Sequence, residues 1–248
     1  MKNILIFIVA LISLNVFGQD IKEKYTLHDL DNGTSYAISI KQDIINENAT
    51  IILQNDSIKI FKVLDIRNVK IHSEKFLEIE FRVRGGSGIK VRRSILLCIS
   101  HNKIHKALDI ISEFTVTINQ VYDKVADSLK LFDEKEYYHV SLSINSVGEK
   151  AYQAVLFEEI DVVSKYNPSQ NMSHNDRYKL QFDPSGYFFF NSEKLLNKSY
   201  KIYSNKDGRM VTKFLNEEVP CTQLYRNLYL YIDNEWYLDN GDDELTCL

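Results

Sequence analysis

The sequence predicts a mainly β protein: antiparallel hairpins forming a sandwich or a strongly twisted meander. Three observations carry this. Apolar and polar residues alternate with period two in segment after segment, as in LEIEFRVR, where Leu77, Ile79, Phe81 and Val83 are apolar and Glu78, Glu80, Arg82 and Arg84 are charged. Turn-forming residues fall between many of these segments. Helical spacing is confined to one or two short stretches. A small propeller-like arrangement is the alternative, with at most one or two short helices in either case.

The N-terminus comes first. Lys2 is followed by an apolar run, Ile4 to Leu14, broken only by Ser13, and then by Val16 and Gly18 ahead of Gln19. A basic start, a short apolar run and a small residue at the cut form a signal-peptide pattern over residues 1–18. The run is shorter than the ~20 residues of a membrane span. Cleavage after Gly18 predicts a secreted or periplasmic protein. The remainder, 19–248, reads as a single antiparallel β domain with no later transmembrane segment; an alternative division falls near residues 119–136.

Strands are expected at SYAISI, TIILQ and SIKIFKVLDI, separated by the turns Asp31-Asn32-Gly33 and Asn55-Asp56. The segment FRVRGGSGIKVRR, 81 to 93, follows. Gly85, Gly86 and Gly88 match neither GxxxxGK[ST] nor GxGxxG. The loop feeds an alternating strand, whereas phosphate loops feed a helix, so it reads as a hairpin turn. Residues opposed in an antiparallel pair share a face, which leaves two registers. Val83 opposite Val91 sets Arg82 against Arg92 and Arg84 against Lys90. Val83 opposite Ile89 sets Glu80 against Arg92, and like-charge repulsion favours this second register. Either way Arg82, Arg84, Lys90 and Arg92 cluster at one tip. Arginine forks suit carboxylate or phosphate groups, so the tip is a candidate anion or partner site; the plainer reading is a charged edge that resists aggregation. Arg93 falls on the apolar face unless a bulge turns it out.

SILLCIS, with Cys98, is an apolar run expected to bury a free thiol. In QVYDKVADSLKLFD, Val121, Tyr122, Val125, Ala126, Leu129 and Phe132 follow a helical stripe; the rival is a hairpin turning at Ala126-Asp127-Ser128. Strands are expected again at YHVSLSI, YKLQF and YFFFN. SEKLLNKS reads as a short helical turn capped by Ser192.

In LYLYIDNEWYL the expected pairs are Ile232 with Trp236, Leu230 with Leu238 and Tyr231 with Tyr237. Tyr229, Tyr231 and Tyr237 would then form an aromatic surface for a sugar or a protein, unless another layer covers them. Cys221 and Cys247 bracket this segment and are the candidate disulfide of an oxidising compartment. No spacing of cysteines or histidines suggests metal, and the acidic stretch from Asp239 to Glu244 lacks the EF-hand order.

The net charge of −4 lacks the basic footprint of general nucleic-acid binding, and a hydrophobic fraction of 44% is ample for a packed core. No catalytic motif appears and no cofactor is implied. Ser173, His174 and Asp176 do not make a triad by adjacency. The expected function is an exported, non-catalytic binding or interaction module for an unknown protein or glycan. A hydrolase of extracellular polymers and an envelope structural or inhibitor protein are the rivals.

Overall fold

A computed structural model describes residues 24–123, 128–148, 151–165, 167–183, 186–189, 194–196, 200–203, 210–213, 219–232, 235–239 and 244–247. The expected leader, residues 1–18, therefore lies outside the described residues. The strands are β1 (Lys24–His28), β2 (Ser35–Asp43), β3 (Asn48–Leu53), β4 (Asp56–Phe61), β5 (Asp65–His72), β6 (Phe76–Val83), β7 (Ile89–Ser100), β8 (Lys103–Asp123), β9 (Ser128–Ser146), β10 (Tyr152–Ser164), β11 (Met172–Asp183), β12 (Tyr187–Phe189), β13 (Lys194–Leu196), β14 (Tyr200–Tyr203), β15 (Met210–Lys213), β16 (Val219–Gln223), β17 (Leu228–Ile232), β18 (Glu235–Asp239) and β19 (Glu244–Cys247). No helix among the described residues is long and apolar enough to cross a membrane.

β1 to β4 form a four-stranded meander, and β5 to β12 form an eight-stranded one in sequence order. Both are antiparallel throughout. The third sheet, ordered β13-β16-β17-β18-β19-β14-β15, is antiparallel except where β14 runs parallel to β19. This is the mainly β, hairpin-built architecture that the alternation implies.

Two expected helices are strands. Tyr122 opposes Leu129 and Asp123 opposes Ser128, so the described residues of the 119–132 stretch are paired strand, and 124–127 lie outside the described residues. Its helical stripe loses because β-branched and aromatic residues also suit a pleated surface, and neighbouring ladders decide between them. The alternative division near 119–136 therefore falls within one continuous hairpin. Lys194–Leu196 is likewise a strand, paired with β16; Ser192 lies outside the described residues.

The large sheet forks. Its last rung between β8 and β9 is Glu113 opposite His139. Beyond it the first half of β8 stays with β7, and Val140–Ser146 stays with β10. A bulge marks the fork: Arg92 opposes Glu113 and Arg93 opposes Ile111, leaving Ser112 unmatched. A bulge bends and twists its strand, and here the two arms close on each other. Phe76 of β6 meets Tyr152, Phe182 and Phe188 of the other arm at ring-centroid distances of 5.0, 5.5 and 5.5 Å.

Two cores result. Phe76, Leu96, Cys98, Leu108, Tyr138, Leu156 and Phe188 fill the space between the arms. Leu77, Ile79, Phe81, Ile95, Leu97 and Ile99, on the opposite face of β6 and β7, pack on Leu27, Ile38, Ile40, Ile51 and Leu53 of the four-stranded sheet. β6 thus buries both faces, which is why Phe76 and Leu77 are adjacent apolar residues. Truncating a residue such as Phe76 to alanine costs about 3–5 kcal/mol.

Arg93 departs from the simple expectation. The bulge is present, yet the side chain stays buried. Its Nε and Nη2 donate to Asp109 Oδ1 and Oδ2 at 3.1 and 2.5 Å, and Lys106 Nζ approaches Asp109 at 3.4 Å. A bidentate carboxylate, itself fully buried, keeps the guanidinium inside; removing one partner of such a pair costs about 3–5 kcal/mol.

Candidate functional site

The glycine loop is a hairpin turn in which close approach explains two of the glycines. A Cβ on Gly85 would sit 2.4 Å from the Ile89 carbonyl oxygen. Gly88 has φ +77°, and its Cβ would sit 2.8 Å from the Thr117 oxygen. Its own carbonyl accepts Thr117 N–H at 3.1 Å, tying the loop to β8. The turn is closed by Ile89 N–H donating to the Gly86 carbonyl at 3.0 Å.

The observed register sets Val83 against Val91 and Arg82 against Arg92, correcting the preference for Val83 opposite Ile89. Carboxylates from other strands remove the repulsion that argued against it. Arg92 Nη1 binds Glu80 Oε1 at 2.9 Å and Glu113 Oε2 at 3.1 Å. Lys90 binds Glu113 at 2.6 Å, Arg82 reaches Asp65 at 3.5 Å, and Arg84 pairs with Glu47. Each member of the basic cluster already faces an acid of this chain; Glu80 comes from the same hairpin, whereas Glu113, Asp65 and Glu47 lie outside it.

Register also gives this cluster a wider context. Arg92, Glu113, His139, Glu159 and Asn175 form one row across β7 to β11. Lys90, Thr115, Tyr137, Asp161 and Ser173 form the next. Alternation puts both rows on one face. Tyr137, 42% exposed, lies near-parallel to the His139 ring, with centroids 6.3 Å apart. Partial desolvation, then the charges of Glu113 and Glu159, raises the Tyr137 hydroxyl above its ordinary range, with Arg92 opposing them. Phe157, also exposed, lies on the same side of β10 under the Arg177 guanidinium at 5.0 Å. The result is an aromatic platform among carboxylates, cations and hydroxyls. His139 was missed because it lies inside YHVSLSI, which reads as an ordinary half-buried strand, and Tyr137, just ahead of that segment, carries no motif.

The expected C-terminal aromatic surface is not assembled. Tyr229 is fully buried, and its hydroxyl donates to the Asp109 carbonyl at 2.9 Å. The turn is one residue tighter than expected: Tyr231 opposes Trp236 and Tyr237 opposes Leu230. Tyr231 and Tyr237 are therefore not opposed.

Tyr229 belongs to a plug at the fork. Where β9 leaves β8, Ile111 loses its strand partner on that side. Asn227 replaces it: Oδ1 accepts Ile111 N–H at 2.6 Å, while Nδ2 donates to the Ile111 carbonyl at 3.2 Å and to Tyr138 Oη at 2.7 Å. Glu158 holds the same segment, accepting Tyr225 N–H at 2.9 Å and the Tyr178 hydroxyl at 3.1 Å. Burial, then the Glu158 charge, pushes the Tyr138 and Tyr178 hydroxyls well up, so both stay protonated. Arg226 lies 4.1 Å over Phe114 and pairs with Glu136. These side chains fasten the C-terminal sheet to the fork.

Cys221, Leu230, Tyr237 and Cys247 oppose one another in a single row across β16 to β19. Three strand spacings of ~4.8 Å set the two cysteines about 14 Å apart, beyond the ~7 Å limit for a disulfide. The β16–β19 register thus sets the two positions of the expected pair apart. Cys98 is buried and free, with burial raising its thiol well above the ordinary range.

Two other constellations resemble chemistry. Ser100, His101 and Asp31 meet, but Ser100 is buried and its hydroxyl lies 2.9 Å from both Asp31 Oδ2 and His101 Nδ1. Asp31 Oδ2 also accepts His101 N–H at 2.7 Å. The carboxylate fastens a turn, whereas a triad needs histidine between serine and acid. His174 binds Asp176 at 2.8 Å, and the Tyr178 hydroxyl lies between Asp176 and Glu158. Tyr178 fills the space between those two carboxylates. Among the described residues no group of three or more His, Cys, Asp or Glu could hold a metal; residues 240–243 of the acidic stretch lie outside them. Comparison with known protein families, with curated proteins and with solved structures finds no match.

Proposed function

We propose that the protein is an exported, non-catalytic binding module whose ligand, an extracellular glycan, lies on the β7–β11 face around Tyr137. The observation that carries this reading is exposed Tyr137 stacked on half-buried His139, set between Arg92 and Glu113 on one side and Glu159 and Asp161 on the other. An aromatic face stacks on the apolar face of a sugar ring, while flanking carboxylates, hydroxyls and guanidinium groups bond its hydroxyls. The near balance of charge suits a neutral polyhydroxylated chain better than an anion, since the basic residues already have carboxylate partners. Export rests on the leader pattern of residues 1–18.

Affinity electrophoresis against xylan, mannan, β-glucan, chitin oligosaccharides and peptidoglycan fragments tests the reading. Retardation by at least one of these, lost in Tyr137→Ala with an unchanged circular dichroism spectrum, is expected. No retardation by any of them, or equal retardation of the variant, overturns it. N-terminal sequencing of exported protein is expected to begin at Gln19; an intact Met1 start overturns the export reading.

A further inference from the structure

We propose that two copies of this chain associate edge to edge through β11, joining their eight-stranded sheets into one continuous sheet. β10 pairs β11 from Val162–Met172 to Gln153–Gln181, but β12 covers the other edge only at Gln181, Phe182 and Asp183. Among the described residues, nothing pairs with the outer edge from Met172 to Leu180. Side chains 172–177 are exposed on both faces, so no second layer shields the strand. An extended edge with free N–H and C=O groups is a template for another strand.

The sequence of the edge favours its own copy. A two-fold axis normal to the sheet keeps the faces of the two copies aligned, so opposed residues must have the same parity. With Asn175 opposite Asn175, His174 meets Asp176 twice, Ser173 meets Arg177 twice, and Met172 meets Tyr178 twice. The neighbouring same-parity registers are worse. Centring on Asp176 or Arg177 opposes like charges directly, and centring on His174 puts Met172 against Asp176. Directly opposed like charges destabilise a pair, and opposite ones stabilise it. One register therefore stands out, spanning seven rungs and stopping short of β12. The 3-10 turn Pro168–Gln170 joins β11 to β10 and so lies on the side away from the joint. This pairing does not depend on the glycan reading, although it would place two Tyr137 faces side by side.

Sedimentation equilibrium of the full exported chain tests the proposal. A monomer–dimer equilibrium is expected for the wild type. His174→Asp sets carboxylates against carboxylates at both pairs, and Asp176→Lys removes the carboxylate that His174 meets; each is expected to weaken the dimer at least about tenfold. The double variant His174→Asp/Asp176→Lys restores opposite charges in the same register and is expected to recover dimerisation. Both positions are exposed, so the circular dichroism spectrum should be unchanged, and the lost His174–Asp176 and Tyr178–Asp176 contacts within one chain bear only on melting. A wild type that stays monomeric at several hundred micromolar, on the order of the weakest interfaces, overturns the proposal; the charges would then only blunt the edge. Single variants that dimerise like the wild type, or a double variant that fails to recover, overturn the register.

Discussion

Replacing Asn227 with alanine tests the account of the fork. The amide satisfies three buried groups: the Ile111 N–H, the Ile111 carbonyl and the Tyr138 hydroxyl. Asn227 is 1% exposed and Tyr138 fully buried, so water is not at hand to replace the lost partners. Each orphaned buried group costs about 1–3 kcal/mol. The carbonyl and hydroxyl retain some capacity to re-pair, so the total is about 3–5 kcal/mol, a large part of the ~5–15 kcal/mol stability of a domain. Urea unfolding followed through Trp236 in β18 measures it, and at a slope of about 3 kcal/mol per M the midpoint falls by roughly 1 M or more. Hydrogen exchange adds a local readout: the Ile111 amide should lose protection ahead of the Leu77–Leu97 ladder. A midpoint shift under about 0.3 M, with Ile111 still protected, would refute the idea that Asn227 stands in for a missing strand.

Three further outcomes follow from the geometry. Burial raises the Glu78 carboxyl, but hydrogen bonds from His72 and Ser94 and the His72 charge outweigh it and hold the group below its ordinary value. A carboxyl lowered on folding stabilises above its unfolded value near 4.5 and loses that contribution as pH falls through the folded one; Glu78→Gln should therefore be less stable than wild type at pH 7 but converge with it in acid, as pH-dependent thermal melts would show. Ser73 and Glu74 both have positive φ, +50° and +56°, at the β5–β6 turn; because Asn-Gly suits that conformation, Ser73→Asn/Glu74→Gly should raise stability by about 1 kcal/mol in urea unfolding. Peptide mapping without reductant should find no Cys221–Cys247 link, and such a link would contradict the β16–β19 register.

The period-two rhythm was decisive for the architecture because burial on one face of a strand is a local property, written in alternate residues. Leu77, Ile79 and Phe81 are buried as the rhythm requires, and Gly88 sits in the turn that its neighbours demand. Spacing failed where strands and helices use the same residues: Val121, Tyr122 and Leu129 satisfy both patterns, and pairing across the hairpin made the choice.

The candidate site lay further from reach. Arg82, Arg84, Lys90 and Arg92 are close in sequence, but Asp65 and Glu113, which neutralise much of their charge with Glu47, arrive from two other strands, and Glu47 arrives from the β2–β3 turn. Tyr137 and His139 gain meaning only as members of rows that cross five strands. Asn227 carries no motif, since its task is to supply hydrogen bonds where two ladders part. Sequence alone determined the local rhythm, the turns and the leader pattern, because each depends on neighbours along the chain. Tertiary structure decided which charges are paired, which aromatics are bare and where the sheet forks, because those depend on residues brought together by register and by the bend at Ser112.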